Sequence, residues 1–215
     1  MLSRGVWRHR PFLIVVSSPS GAGKTSLCRE VVRQDKNIVY SVSATTRHPR
    51  KGEVHGRHYF FWTEREFKAR LARGGFLEHA IVYGHFYGTP KTPLLGQLRK
   101  GKDVLADLDI QGMRSCRKAL PDSVAIFITT QSQKELMRRL HSRGTDSARE
   151  INRRQSELKS ELAAIPEFDY IVVNDRLKDT ARRILSIIRA ERLRTYRLHP
   201  GRKAKRSIVN EVSVD

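Results

Sequence analysis

Cysteine is nearly absent from this 215-residue chain, which has two, Cys28 and Cys116. Two thiols exclude a disulfide framework, and their separation excludes a cysteine metal cluster. Both fall in helical patterns, where small buried thiols are expected, and a reducing compartment follows. Long apolar runs are missing too: none approaches the ~20 residues that a membrane-spanning helix requires. Acidic residues are scarce, with 22 Asp and Glu against 42 Lys and Arg, a formal charge of +20. That excess suits polyanionic ligands such as nucleotides, nucleic acid or phospholipid surfaces, without choosing among them. No helix-turn-helix, RNP-like or zinc pattern accompanies the charge, so no specific nucleic-acid partner is expected. Arg4, Arg8 and Arg10 precede an apolar run, as in a secretion signal. The run is short and leads straight into the motif described next, so export is not expected. Only about ten residues remain for an organelle-targeting segment. With 39% hydrophobic and 30% charged residues, the composition is that of a soluble, cytoplasmic protein with one substantial core.

What is present is a strand, a glycine-rich turn and a helix in immediate succession. Phe12-Leu13-Ile14-Val15-Val16 reads as a buried strand, and a helical pattern with Leu27 and Val31 on one face lies beyond. Between them runs Ser18-Pro19-Ser20-Gly21-Ala22-Gly23-Lys24-Thr25-Ser26. This order is the context that a phosphate-binding loop needs. Small residues let successive backbone N–H groups converge on phosphate oxygens, and the helix N-terminus adds partial positive charge. Lys24 then reaches the outer phosphates, and the Thr25 hydroxyl is placed to hold Mg²⁺. Ser18 stands where the pattern Gly-x-x-x-x-Gly-Lys-[Ser/Thr] has its first glycine. A bare Ser/Gly run would pass for a surface turn; the flanking strand and helix argue for phosphate.

Short β-branched runs between helical stretches predict an α/β fold, a parallel sheet flanked by helices. Core strands are expected at Phe12–Ser17, Val39–Ala44, Val104–Asp109, Val124–Thr129 and Tyr170–Val173. Thr63-Glu64-Arg65-Glu66 is a capping box opening a helix with Phe67 and Leu71 inward, closed by Gly74-Gly75. Ser132 with Glu135, and Ser147 with Glu150, repeat that signature. A last helix near Thr180–Tyr196 turns Ile184, Leu185 and Ile188 to the core. Aromatic strands at Tyr59–Phe61, Leu77–Tyr83 and His85–Tyr87 interrupt the alternation and predict a small inserted β lobe. The expected organisation is a core in three parts, 1–46, 94–137 and 156–198. A β lobe occupies 47–93, a helical lid 138–155, and a basic, disordered tail 199–215.

Further clusters carry chemistry. Ser43-Ala44-Thr45-Thr46-Arg47-His48-Pro49-Arg50-Lys51-Gly52-Glu53 follows the second core strand, and Gly56-Arg57-His58-Tyr59-Phe60 comes soon after. Phe76-Leu77-Glu78 and Gly84-His85-Phe86-Tyr87-Gly88-Thr89-Pro90 lie in the β lobe, and Asp107-Leu108-Asp109-Ile110-Gln111-Gly112 ends the third core strand. Arg47 and Arg50 offer forked guanidinium donors, and Tyr59 and Tyr87 add hydroxyls, a set suited to a phosphate dianion. Taken singly, the arginines would pass for solvated side chains and the tyrosines for lobe packing. Glu78 could accept two hydrogen bonds from adjacent N–H donors, or simply pair with a basic neighbour. Paired acids at the C-terminal end of a parallel strand, Asp107 and Asp109, sit where ligands bind.

In type, order and spacing these clusters, with the phosphate loop, closely resemble the guanylate kinase family from about Phe12 to about Arg194. The resemblance implies a P-loop NTPase core with a GMP-binding lobe and a lid. It also implies transfer of the γ-phosphoryl of ATP to GMP with Mg²⁺, serving purine nucleotide metabolism. It assigns Ser43, Arg47, Arg50, Tyr59 and Tyr87 to the GMP phosphate, and Glu78, Thr89 and Asp107 to the guanine base. Asp107 would also orient Mg²⁺ through water. Lid residues Arg139, Arg143 and Arg154 match the family's arginines on the ATP phosphates. With Lys24 and Arg47 they form the expected catalytic set. Asn174-Asp175 would lie near the adenine. A related kinase for another acceptor would lack the guanine-reading set, and a catalytically dead binding module would have lost Lys24 or the lid arginines. Oligomeric state stays open.

Overall fold

The computed structural model describes residues 7–19, 22–82, 84–130 and 158–200. In chain order the first strands are β1 (Trp7–His9), β2 (Leu13–Ser17), β3 (Ile38–Tyr40), β4 (Ala44–Thr45), β5 (Phe60–Phe61), β6 (Phe76–Val82) and β7 (His85–Pro90). Then come β8 (Asp103–Asp107), β9 (Val124–Thr129), β10 (Tyr170–Val173) and β11 (Leu198–Pro200). The helices are α1 (Lys24–Gln34), α2 (Glu64–Ala72), α3 (Lys91–Arg99), α4 (Ile110–Ala119) and α5 (Leu177–Arg192).

Strands β10-β9-β2-β8-β3, in that order, make a wholly parallel sheet. Its central strand β2 is apolar at every residue but the last because both faces are covered. Ile14 and Val16 turn to one side, against Leu27 and Val31 of α1 and Ile184 and Ile188 of α5. Leu13 and Val15 turn to the other, against Leu94 of α3 and Met113 and Cys116 of α4. The two-residue period of a strand thus divides one apolar run between two cores. Chain order reverses about β2, so the crevice at the C-terminal ends of β2 and β8 is where ligands of such sheets bind.

The expected strand Val39–Ala44 is in fact two. Ile38–Tyr40 pairs with β8 in the core, and Ser41 N–H still donates to Leu105 O at 2.8 Å. Two residues on, Phe60 N–H donates to Ser43 O at 2.8 Å, and Ala44–Thr45 belongs to a second sheet ordered β5-β4-β7-β6. A continuous β-branched run conceals the change of sheet, since local pattern says nothing of which partner supplies the hydrogen bonds. The capping box is present: Glu66 N–H donates to Thr63 Oγ1, and Thr63 N–H donates to Glu66 Oε2 at 2.8 Å. Phe67 and Phe76 stack at 4.3 Å at the centre of the lobe, walled by Phe60, Trp62, Leu71 and Phe86.

The core strand expected over Val104–Asp109 ends at Asp107, and Asp109 caps α4 instead, accepting from Gly112 N–H at 2.7 Å. The last helix begins at Leu177 and stops at Arg192, four residues before Tyr196. A two-stranded ribbon, β1 antiparallel to β11, has no counterpart in the sequence reading because Trp7-Arg8-His9 is too short and polar to announce a strand. Buried Asp103 ties this end together, accepting from Phe12 N–H, His9 and Arg192. The helix starts expected at Ser132 and Ser147, the lid at 138–155 and tail residues 201–215 lie outside the described residues. His199 and Pro200, expected in the disordered tail, are instead ordered in β11 by pairing with Arg8 and Trp7.

Candidate active site

Sequence places the phosphate loop between the end of β2 and the start of α1, the crevice just identified. Gly23, at φ 82°, lies in the left-handed region that glycine tolerates, and from it the chain turns into α1. Ser18 is buried and its hydroxyl donates to Pro19 O at 3.0 Å. Ala22 N–H closes the turn onto Pro19 O at 3.2 Å. Ser20 and Gly21 lie outside the described residues; Ser26 follows as an exposed residue of α1.

Lys24 Nζ donates to Leu108 O at 2.8 Å and lies 2.7 Å from Asp107 Oδ1. Thr25 Oγ1 donates to Asp107 Oδ2 at 3.0 Å. The register pairs Val16 with Asp107, so neighbouring strands deliver the loop and this carboxylate to one point. Asp107 is therefore beside the phosphate loop, and the acid near Glu78 is Asp109. The two acids diverge because Asp107 ends a strand while Asp109 caps α4, which packs on β6. A hydroxyl and a carboxylate meeting in this way are hard oxygen donors of the kind Mg²⁺ prefers.

Across the crevice, a cleft of about 510 Å³ is bounded by Thr25, Arg29 and Asp107 on the core side and Ser43, Glu53 and Tyr59 on the lobe side. Arg47 is held in a fork by Glu53, with Nη1 and Nη2 each donating to one carboxylate oxygen at 2.9 Å. Its guanidinium lies 5.6 Å from the Tyr59 ring centre, and Tyr59 meets Tyr87 edge to face at 6.1 Å. Glu53 also accepts from Arg50 N–H at 2.7 Å, so one carboxylate organises both arginines of the segment. Arg47, then the Arg50 N–H, hold the Glu53 carboxyl down at about 2. The Arg50 side chain is exposed.

Glu78 and Thr89 face each other across β6 and β7, and Thr89 Oγ1 donates to Glu78 Oε1 at 2.6 Å. Burial raises the Glu78 pKa; the Thr89 bond opposes that rise and the Asp109 charge adds to it. Gly88 permits this closeness, since a Cβ there would sit 2.7 Å from the Phe76 ring and 2.9 Å from Glu78 O. Burial also pushes both thiols up, Cys116 to about 12, which leaves them inert as expected.

A guanylate kinase family model matches residues 10–191. The chain belongs to the guanylate kinase family. Guanylate kinase of Caldanaerobacter subterraneus subsp. tengcongensis is 44% identical over 190 residues, 88% of this chain and 92% of that one. Guanylate kinase of Ruegeria pomeroyi is 46% identical over 188 residues, covering 86% and 88%. The crystal structure of guanylate kinase from Anaplasma phagocytophilum matches with a TM-score of 0.76 at 30% identity, over 97% of this chain and 99% of that one. In this chain, Lys24, Thr25 and Asp107 form one cluster and Arg47, Tyr59 and Tyr87 a second. Glu78 and Thr89 form a third, joined by the Thr89 Oγ1–Glu78 Oε1 bond. Arg139, Arg143 and Arg154 lie outside the described residues. Glu53 is a functional candidate to which the sequence reading gave no role, although it stands directly after Lys51-Gly52 in the arginine segment. Asp109, read in the sequence as one of a ligand-binding pair of acids, instead caps α4.

Proposed function

We propose that this chain transfers the γ-phosphoryl of ATP to GMP, giving ADP and GDP, as a cytoplasmic enzyme of purine nucleotide metabolism. The observation that carries the reading is one cleft with Thr25 of the phosphate loop and its partner Asp107 on one wall and Ser43 and Tyr59 on the other. Two phosphate-binding walls facing each other suit transfer between two phosphorylated molecules rather than hydrolysis of one.

Lys24 neutralises charge on the phosphoryl in flight, and its bond to Leu108 O orients the ammonium beforehand. Thr25 and Asp107 are the residues that would hold Mg²⁺, and the ion would shield the ATP phosphates from an approaching anion. Ser43, Arg47, Arg50, Tyr59 and Tyr87 bind the GMP phosphate and aim one of its oxygens along the line of transfer. That oxygen needs no strong base, because a phosphate monoester with a second pKa of about 6 is largely a dianion at neutral pH. Glu78 and Thr89 read the guanine edge, with Asp107 reserved for the phosphate side. Arg139, Arg143 and Arg154 supply further positive charge on the ATP phosphates. No described helix is long and apolar enough to cross a membrane.

The test is a coupled assay with ATP and Mg²⁺ comparing GMP, AMP, UMP and ribose phosphates as acceptors. GMP should exceed each of the others by at least a hundredfold in kcat/KM. Comparable turnover of AMP would refute the acceptor assignment.

A further inference from the structure

The phosphate loop is braced from outside by a residue that belongs to none of its motifs. Asn174 follows β10 and is 7% exposed. Its backbone N–H donates to Thr129 O at 2.7 Å, continuing the ladder between β9 and β10. Its side chain reaches over the end of β9, and Nδ2 donates to Ala22 O at 2.6 Å. The partner is a carbonyl, so the amide must present its nitrogen. Ala22 is itself fully buried, with its side chain packed against Leu158 and Leu162.

The bond acts on the peptide unit that matters most in the loop. A trans peptide is planar, with C=O and N–H on opposite edges. Fastening the Ala22 carbonyl to Asn174 therefore also fixes the direction of the Gly23 N–H, on the opposite edge of that plane. The same amide restricts position 23 a second way. A Cβ there would come 3.0 Å from Asn174 Nδ2, at a φ of +82° that already disfavours one. We propose that Asn174 is a positioning residue for donor binding, which sets the Ala22–Gly23 peptide plane and so aims the Gly23 N–H at a polyphosphate. This rests on the loop being the donor-phosphate site, and it differs from the expectation that Asn174 serves the adenine.

Inorganic tripolyphosphate with Mg²⁺, which has neither base nor sugar, separates the two. Asn174→Asp keeps the shape and replaces the donor with an acceptor; Asn174→Ala removes it. Calorimetric Kd for tripolyphosphate should rise about tenfold in Asn174→Ala and further in Asn174→Asp, from the loss of one buried hydrogen bond. KM for ATP should rise in parallel while KM for GMP stays within twofold. A lowered melting temperature with unchanged tripolyphosphate Kd would overturn the proposal as merely structural. A raised KM for ATP with unchanged tripolyphosphate Kd would overturn it in favour of adenine contact. In the wild type, the Gly23 amide resonance must shift on adding tripolyphosphate. A resonance that stays still refutes the proposal even if both variants fail to fold. An error in the acceptor assignment would appear differently, as absent GMP turnover with an intact tripolyphosphate response.

Discussion

Replacing Glu78 by glutamine separates activity from stability in a way that tests the site directly. The wild-type carboxylate accepts from Thr89 Oγ1 at 2.6 Å, leaving its second oxygen for an N–H of guanine. In Glu78→Gln, the remaining oxygen must choose. If it keeps the buried Thr89 hydroxyl, the new NH₂ faces a guanine N–H, and two donors oppose each other. If it turns toward guanine, the NH₂ meets Thr89 and one charge-assisted bond has still become neutral. Either loss is worth about 2–3 kcal/mol, or roughly 30- to 150-fold in kcat/KM for GMP. KM for ATP should barely move, since the phosphate loop is in the core sheet.

The fold should respond with the opposite sign. Burial, opposed by the Thr89 bond and reinforced by Asp109, raises the Glu78 pKa above its usual 4.5. The folded state therefore binds a proton more readily than the unfolded one. The resulting penalty is absent below the unfolded pKa, and it grows as pH rises from there through the folded value. Glutamine mimics the protonated form, so Glu78→Gln should have a melting temperature at pH 7 equal to or above wild type. That relative gain should disappear below about pH 4. Thermal melts at both pH values and steady-state kinetics at pH 7 complete the test. GMP efficiency within about twofold of wild type would refute the base-reading assignment. A melting temperature several degrees lower at pH 7 would refute the account of why the carboxylate is there.

Three further outcomes are expected. Lys24→Met should keep the fold by circular dichroism but lower kcat by orders of magnitude, because a fixed cation is lost from the transferring phosphates. Near wild-type turnover would remove the phosphate-loop assignment. Glu53→Gln should raise KM for GMP about tenfold with KM for ATP unchanged, since the fork holding Arg47 loses its charge and one acceptor. Because the Glu53 pKa is depressed to about 2, its contribution to stability is complete above the unfolded 4.5 and fades only as pH falls toward 2. A difference between wild type and variant melting temperatures that varies between pH 6 and 8 would contradict it. Ser18→Gly removes a hydroxyl bonded to Pro19 O within the loop and should change KM for ATP by less than about threefold. A large gain in ATP affinity would mean that serine is a defect at this position.

The parts of this protein that were legible in its sequence are those whose physics is local. A strand covered on both faces must be apolar over nearly all its length, so the strand expected at Phe12–Ser17 was evident before its neighbours were known, and it forms over Leu13–Ser17. A capping box satisfies its own backbone donors, so Thr63 announced α2 without reference to the lobe it packs in. The parts that were not legible depend on partners far along the chain. Nothing in residues 39–44 distinguishes a strand continuing in one sheet from one that leaves it after Tyr40. The difference lies in whether Leu105 or Phe60 supplies the next hydrogen bond. Asp107 and Asp109 look alike in sequence, two residues apart on one motif. They part company only because β2 stands beside the first and β6 packs near the second. Asn174 is another such case, since its side chain meets a carbonyl 152 residues earlier. A motif records the residues that touch a ligand because they must cluster to do so. The residues that hold a motif in shape are free to come from wherever the fold brings the chain back, as Asn174 does from beyond β10.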